Sequence, residues 1–300
     1  MLWLNGGPGA STIASGLLFE NGPCSVSPDN KTVRNDHSWN EKMNIIYLDE
    51  PIGTGYSYAT DGSKVTTLTN LAVDVYAFLQ VFMHRFPQYA SMPFHLAAES
   101  WGGHFGPNIA HYIFERNQEL VYAPRTGILK INLASVILAN GLTEPASQFE
   151  SIHPYICGAA PYHPLDPDGA VCKTLKVNTQ AYIKIALGVD PSYNYAMVNS
   201  EVNQAFYLEG QAMLDSAALL PALVNHGIRL MAYAGNTDGM CNYMGVELWM
   251  SRLEHRFHDE FARTPSLRWR TKRAGTYVGE VRSAGPGAGN VTFVQIYDAG

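Results

Sequence analysis

One serine in this chain has the sequence surroundings that a nucleophile requires. Ser100 follows the apolar run Phe94–Ala98 and opens a segment with helical spacing. Small residues, Ala98 and Gly102, lie two positions to either side of it. A strand that turns sharply into a helix needs such small residues to hold a serine hydroxyl clear of the backbone. A serine at a helix start is also a common N-cap, so the pattern by itself leaves both interpretations open.

A glycine-rich turn upstream supplies a second chemical feature. Gly6, Gly7 and Gly9 follow the predicted strand Met1–Leu4 and place unhindered backbone N–H groups in a tight turn, where an oxyanion can be held. A plain turn and a phosphate-binding loop are the alternatives. The phosphate-binding spacings Gly-x-x-x-x-Gly-Lys-Ser/Thr and Gly-x-Gly-x-x-Gly are both unmet here. The presence of Ser100 in the same predicted sheet favours the oxyanion hypothesis over a plain turn.

An acid follows this serine, as expected for the chain order serine, acid, histidine. Asp238 lies just past the predicted strand Ile228–Ala234, where a loop at the carboxyl end of the strand would present a carboxylate. The alternative is an aspartate that caps the helix beginning near Asn242. No histidine follows His258, and each of the ten histidines is expected to be a surface or packed imidazole.

These residues need a sheet to position them, and the chain alternates strands and helices as a doubly wound sheet does. A region crowded with prolines, from Pro145 to Pro167, is interpreted as an insertion over the sheet. We therefore expect residues 1–142 and 216–300 to form one core, with residues 143–215 as an inserted cap. The predicted strands span residues 1–4, 43–48, 94–98, 131–139, 228–234 and 291–297, and the predicted helices span residues 68–86, 105–116, 217–224 and 243–256.

Composition argues against several classes of protein. The net charge is −6 and the chain has no long Lys/Arg run, so the sequence shows no basic cluster of the kind that binds nucleic acids or membranes. The longest apolar stretch, Ile131–Leu142, is too short and too polar to span a bilayer. No metal or cofactor is expected. Met1 leads directly into a strand and no signal peptide is visible, so we interpret the chain as a fragment at this end.

Four segments resemble the signature motifs of the serine carboxypeptidases and occur in the same order as in that family. Their residues are most similar to those of the fungal members. The segments are WLNGGPG at residues 3–9, DEPIGTGYSY at residues 49–58, ESWGG at residues 99–103, and Gly235-x-x-Asp238-x-x-Cys241-Asn242. The resemblance implies an α/β-hydrolase fold, with a mostly parallel central sheet, helices on both faces and an inserted cap. It also implies a secreted or vacuolar serine-type carboxypeptidase, which releases C-terminal amino acids from peptides and proteins through an acyl-enzyme.

The resemblance implies a role for each matching residue. Ser100 would be the nucleophile and Asp238 the acid that orients the histidine. The backbone N–H groups of Gly7 and Trp101 would form the oxyanion hole. The terminal carboxylate of the substrate would be bound by Trp3, Asn5, Gly6 and Glu99. Glu99 would repel that carboxylate unless the two groups share a proton, so an acidic working pH is expected.

The histidine of the family follows an Ala-Gly pair after the last strand, and this chain ends on Ala299-Gly300. We therefore expect a fragment at this end too, with the general base just beyond Gly300, so that residues 1–300 alone would lack this base and show little activity. Two other functions stay open. One is an acyltransferase or lyase on the same scaffold, and the other is a non-catalytic peptide-binding protein if the chain naturally ends here. Retention of Asn5 and Glu99 favours the peptidase.

The four cysteines and two glycosylation motifs fit a secretory route. Cys157 and Cys172 are a possible disulfide that would close a loop within the insertion. Cys241 matches a family position that is often a free thiol, and Cys24 has no predicted partner. The acceptor residues of the two Asn-x-Ser/Thr motifs are Asn30 and Asn290.

Overall fold

The computed structural model describes residues 1–29, 31–161, 199–271, 275–287 and 289–300. The chain divides into two compact units. The first contains the described residues of Met1–Ile137 and Tyr195–Gln211, and the second contains those of Leu138–Asn194 and Ala212–Gly300.

The described residues form the following elements. The strands are β1 (Leu2–Leu4), β2 (Cys24–Val26), β3 (Thr32–Arg34), β4 (Ile46–Tyr47), β5 (Phe94–Glu99), β6 (Leu133–Ala139), β7 (Arg229–Gly235), β8 (Leu267–Arg270), β9 (Tyr277–Ala284) and β10 (Val291–Ile296). The α-helices are α1 (Leu68–Arg85), α2 (Gly102–Tyr122), α3 (Pro145–Pro154), α4 (Ser200–Leu208), α5 (Leu220–Asn225), α6 (Tyr243–Arg252) and α7 (His258–Arg263). Two π-helical turns cover Ile13–Glu20 and Tyr155–Ala159, and 3-10 turns cover Trp39–Glu41, Pro87–Tyr89, Gln211–Met213 and Ala217–Leu219.

In the first unit, strand β1 lies between β4 and β5 and is parallel to both. Leu4, at the end of β1, pairs with Ala98 of β5, so the two strands end at nearly the same level. Loops that follow parallel strands emerge at one edge of the sheet, which is where α/β proteins bind ligands. The register therefore places the glycine turn after β1 beside the turn that follows β5.

Helix α1 packs against α2 in the core of the first unit. Leu71, Val75 and Leu79 recur at helical spacing on its buried face. Tyr76 of α1 meets Tyr112 of α2 edge to face, with the ring centroids 5.4 Å apart. The helix predicted over residues 68–86 is thus confirmed, and it ends at Arg85.

In the second unit, β7 is parallel to β10, whereas β9 is antiparallel to both β10 and β8. Ile296, at the end of β10, pairs with Gly235, at the end of β7. The loop that carries Asp238 therefore starts beside the residues that follow β10. Helix α6 approaches α3 closely because it carries Gly245, on which a Cβ atom would lie 2.8 Å from the Cα atom of Gln148.

Strand β6 begins in the first unit and ends in the second. Near its start, the Phe94 N–H group donates a hydrogen bond to the Asn132 carbonyl at 2.8 Å. Just past its end, the Asn140 N–H group donates to the Tyr233 carbonyl, also at 2.8 Å. Mostly parallel strands joined through helices confirm the predicted α/β class.

Several boundaries differ from the predictions. The strand predicted over residues 43–48 shortens to β4, whose two residues are only half-buried. The helix predicted over residues 243–256 ends at Arg252 because Leu253 adopts an extended conformation, and α7 follows as a separate helix. Strands β8 and β9 are absent from the prediction, since their mostly exposed or half-buried residues give no apolar run.

The division into core residues 1–142 and 216–300 and cap residues 143–215 stays a prediction. Residues 162–198 of that cap lie outside the described part of the chain. None of the helices described in the structure combines the length and the apolar character that crossing a lipid bilayer demands.

Candidate active site

Ser100 stands at the sharp turn between β5 and α2. Its φ angle of 59° lies in the left-handed region, which residues other than glycine seldom adopt. A Cβ atom on Gly102 would lie 2.7 Å from the Cβ atom of the fully buried Ala98, so larger residues do not fit at these positions. The N-cap position of α2 is Trp101, without a side-chain hydrogen bond, so the interpretation of Ser100 as a helix cap is wrong. The geometry is that of a nucleophile elbow.

The glycine turn lies directly against this elbow. A Cβ atom on Gly6 would collide with the backbone nitrogen of Trp101 and lie 2.9 Å from the Cβ atom of Ser100. Gly7 has a φ angle of 107°, which side-chain-bearing residues rarely adopt. The Ala10 N–H group donates to the Gly6 carbonyl at 3.1 Å and closes the turn. The two segments that carry the predicted N–H donors are therefore in contact.

Asn5, which is buried, is the centre of a partly buried hydrogen-bond cluster next to the elbow. Its Oδ1 atom accepts from the indole N–H group of Trp3 at 3.1 Å and from the Gly16 N–H group at 3.0 Å. Its Nδ2 atom donates to Glu20 Oε1 at 2.8 Å and to Glu99 Oε2 at 3.1 Å. One amide thus holds two carboxyl groups, and one of these belongs to the residue immediately before the elbow serine.

The pKa of one carboxyl group in this cluster is shifted. Burial raises the pKa of Glu20 above its ordinary value, while hydrogen bonds from Asn5 and Trp3 offset part of the rise. Two ionised carboxylates on one amide would repel each other, which favours a shared proton. A protonated carboxyl group can donate a hydrogen bond, whereas an ionised one can only accept. The cluster can therefore bind a further carboxylate while at least one of its own carboxyl groups keeps a proton.

Asp238 lies in the second unit, where its carboxylate is held from both sides. Asn140 Nδ2 donates to Asp238 Oδ2 at 2.7 Å. The N–H groups of Met240 and Cys241 donate to Oδ1 at 2.8 and 2.9 Å. Helix α6 is capped instead by Asn242, so the interpretation of Asp238 as its cap is wrong.

The loop around Asp238 is fixed by its neighbours in the same unit. The hydroxyl of Tyr155 donates to the Asn236 carbonyl at 2.8 Å. The Thr237 N–H group donates to the Ala299 carbonyl, also at 2.8 Å. An aspartate held in this way is suited to accept a hydrogen bond from an imidazole N–H group.

The sequence profile described as serine carboxypeptidase matches residues 1–166 and 170–300. The chain belongs to the serine carboxypeptidase family. All of it aligns, at 30% identity, with 69% of a vacuolar serine-type carboxypeptidase from Saccharomyces cerevisiae. It aligns equally completely, also at 30% identity, with 64% of carboxypeptidase Y homolog A from Ajellomyces dermatitidis. The chain thus spans about two thirds of the length of these serine carboxypeptidase relatives.

The solved structure of a prohormone-processing carboxypeptidase from Saccharomyces cerevisiae, KEX1(DELTA)P, shares the fold. The TM-score is 0.71 at 22% sequence identity, over 99% of this chain and 78% of the yeast chain. The predicted serine carboxypeptidase family and its fold are therefore confirmed.

The structure places the predicted site residues of this serine carboxypeptidase family member in two groups. Those in the first unit lie together around the elbow: Trp3, Asn5, Gly6, Gly7, Glu99, Ser100 and Trp101. Asp238 lies in the second unit.

The sequence prediction missed two polar residues of these groups, Glu20 and Asn140. Glu20 carried no signal, because it ends a π-helical turn without a regular apolar pattern. Asn140 was visible only as a polar residue directly after the strand predicted over residues 131–139. Its φ angle of 42° in the structure is the feature that marks it out.

The remaining predictions have varied outcomes. Cys157 is disulfide-bonded, whereas Cys172 and Asn30 lie outside the described residues. Cys24 and Cys241 form no disulfide. Asn290 is half-buried before β10. Within the described ranges, no group of three or more His, Cys, Asp and Glu side chains is arranged to hold a metal ion.

Proposed function

We propose that this protein is a serine carboxypeptidase that hydrolyses the last peptide bond of peptides and proteins. One observation carries the proposal: Glu99, which shares the Asn5 amide with Glu20, directly precedes the elbow residue Ser100. A substrate whose terminal carboxylate binds to the Asn5 cluster would present its last peptide bond beside the serine. Only the C-terminal residue of a chain can meet both requirements, and this makes the reaction a carboxypeptidase reaction.

The catalytic steps follow from the proposed roles. The Ser100 hydroxyl attacks the carbonyl carbon while a histidine, oriented by Asp238, accepts its proton. The N–H groups of Gly7 and Trp101, at the positive end of the α2 dipole, stabilise the oxyanion that forms. The C–N bond then breaks, the leaving amino acid takes the proton, and water hydrolyses the acyl-enzyme.

An acidic working range follows from the carboxyl cluster. At low pH, a protonated Glu20 or Glu99 donates a hydrogen bond to the substrate carboxylate. As the pH rises, both groups ionise and repel that carboxylate, so substrate affinity falls. The raised pKa of Glu20 supports this assignment, because it extends the protonated form towards higher pH.

We propose peptide and protein C-termini as the substrates and a secreted or vacuolar location. The vacuolar relative in yeast supports that location, as does the disulfide at Cys157, since disulfides persist in oxidising compartments. The acidic net charge gives no reason to expect a nucleic acid or membrane partner.

The test uses the product of the complete gene and an N-blocked dipeptide at about pH 5. We expect release of the free C-terminal amino acid, together with labelling of Ser100 by a fluorophosphonate probe. Both signals should vanish in S100A, apart from a residual rate about 10³ to 10⁴ above that in water. The C-terminal amide of the same dipeptide should be cleaved far more slowly. Release that survives S100A unchanged, or no release at any pH from about 4 to 8, would overturn the proposal.

A further inference from the structure

Helix α4 contacts the glycine turn through one side-chain amide. Asn203 Nδ2 donates to the Gly7 carbonyl at 3.0 Å and to the Pro8 carbonyl at 3.3 Å. Both partners are acceptors, so the NH₂ end of this amide must face the turn. Asn203 lies 196 residues after Gly7 in the chain, which makes this a tertiary contact rather than part of the turn itself.

The N-cap residue of α4, Asn199, holds the end of the same turn. The Asn199 N–H group donates to the Gly9 carbonyl at 2.9 Å, and its side-chain amide donates to the Gly53 carbonyl at 2.8 Å. The Asn199 Oδ1 atom caps α4 by accepting from the Val202 N–H group at 3.2 Å. A Cβ atom on Gly9 would lie 3.1 Å from the Val202 Cβ atom, so helix and turn are packed closely.

The same face of α4, one turn further along, packs against the segment that follows the elbow. Tyr207 lies on Trp101 with the ring centroids 5.0 Å apart. Phe206 is fully buried and meets Phe105 of α2 edge to face at 6.1 Å. Helix α4 therefore touches both segments that carry the proposed oxyanion donors, the glycine turn and the residue after Ser100.

The glycine turn needs such support from outside. Gly6, Gly7 and Gly9 have no side chains to restrict rotation of their peptide planes, and the direction of the Gly7 N–H group depends on those planes. An oxyanion hole stabilises the transition state because its donors are already oriented before the reaction, and small displacements are costly. Hydrogen bonds to the carbonyls of Gly7 and Pro8 fix the planes on the carboxyl side of the donor.

We propose that Asn203 is a positioning residue for the oxyanion hole, and that α4 holds both segments that form this hole. The inference rests on the proposed function, in which the Gly7 and Trp101 N–H groups bind the oxyanion. Asn203 holds the turn whose N–H group stabilises the transition state. It is not part of the Asn5 cluster, which is proposed to bind the substrate carboxylate. Its loss therefore lowers kcat and leaves KM nearly unchanged.

The experiment compares N203A and N203D with the wild type, all as products of the complete gene. N203D keeps the volume of the side chain but removes both N–H donors. We expect kcat to fall about tenfold to a hundredfold, below the 10² to 10³ lost with a direct oxyanion donor. KM and the affinity for a peptide ending in a D-amino acid should stay within about twofold of the wild-type values. The fluorophosphonate reaction rate should fall by the same factor as kcat.

The matched control is Q204A, which changes the next residue of α4. Gln204 is exposed, so this variant should behave as wild type.

The outcomes separate this inference from the proposed function. A wild-type protein that releases no C-terminal residue contradicts both. An active wild type with a folded N203D whose kcat is within about twofold of normal overturns only the positioning role. A rise in KM that matches the loss of kcat also overturns it, because that result places Asn203 in support of substrate binding. If N203A shows no cooperative melting transition and therefore does not fold, the isosteric N203D decides between these outcomes.

Discussion

The side-chain amide of Asn5 donates hydrogen bonds to both carboxylate oxygens of Glu20, at 2.8 and 3.1 Å. Asn5 directly precedes the glycine turn, and Glu20 ends the π-helical turn Ile13–Glu20. The same amide nitrogen also reaches Glu99, next to the elbow. Glu20 is therefore linked through the Asn5 amide to Glu99, the residue before the proposed nucleophile. A change in the protonation of Glu20 should affect the hydrogen bonds of this segment.

Removal of charge from this cluster should change how substrate affinity depends on pH. The pKa of Glu20 is raised, so its carboxyl group keeps a proton above the ordinary range and ionises as the pH increases further. We expect the wild-type KM for an N-blocked dipeptide to rise between about pH 5 and pH 7.5, by several-fold or more. E20Q and E99Q stay neutral and should flatten this rise. The measurement is KM across this range, with the C-terminal amide of the dipeptide as control, since it has no carboxylate to repel. A wild-type KM that does not vary with pH would contradict the shared proton.

How much of this site the sequence could predict depends on local spacing. The elbow was predictable because Ala98, Ser100 and Gly102 lie within five positions and follow an apolar strand. The glycine turn was predictable for the same reason, and the parallel pairing of Leu4 with Ala98 then brings the two together.

Glu20 and Asn203 could not be found in this way. The π-helical turn Ile13–Glu20 returns the chain to Asn5 without an amphipathic pattern. Asn203 contacts Gly7 although the two residues are 196 positions apart in the sequence. The helix that carries Asn203 has the ordinary sequence of a short, half-buried helix, so nothing in it indicates this contact. Tertiary contacts, not local propensity, select these two polar residues.

Gly6 should not accept any side chain. In G6A, the added methyl group would collide with the backbone nitrogen of Trp101 and lie 2.8 Å from the Glu99 carbonyl oxygen. We expect the elbow and the turn to separate, with kcat lowered by about 10² or more and stability lowered by about 1 to 3 kcal/mol. Dipeptide hydrolysis and thermal melting measure the two effects. G158A is the matched control, since a Cβ atom on Gly158 meets open space. If G6A keeps normal kcat, the close contact between turn and elbow has no catalytic role.

Asn140 should act on Asp238, the proposed acid of the site. Its Nδ2 atom donates to Asp238 at 2.7 Å, and its φ angle of 42° is in the region that favours glycine. N140G therefore removes the hydrogen bond without adding backbone strain. We expect about a tenfold lower kcat with KM nearly unchanged, because the acid orients the base and does not bind substrate. N132A, at the other end of β6, removes only an exposed hydrogen bond at 3.4 Å and should leave kcat unchanged. Equal kcat in N140G and N132A would rule out this role.

Glu50 should make the first unit less stable as the pH rises. The residue is only 4% exposed, and neither carboxylate oxygen has a hydrogen-bond partner among the described residues. Burial, and then the nearby charge of Asp49, raise the pKa of Glu50 well above its ordinary value.

The unfolded chain releases this proton above a pH of about 4.3, whereas the folded chain keeps it. The stability that the protonated form contributes is therefore complete at lower pH and is lost as the pH rises towards the folded pKa, at up to about 1.4 kcal/mol per pH unit. E50Q is permanently neutral and nearly isosteric. We expect its melting temperature to equal that of the wild type near pH 4 and to exceed it by several degrees at about pH 7.5. E209Q, at an exposed glutamate, should melt as the wild type does at both pH values. A wild type and E50Q that melt together at both values would show that Glu50 is ionised or solvated in the folded protein.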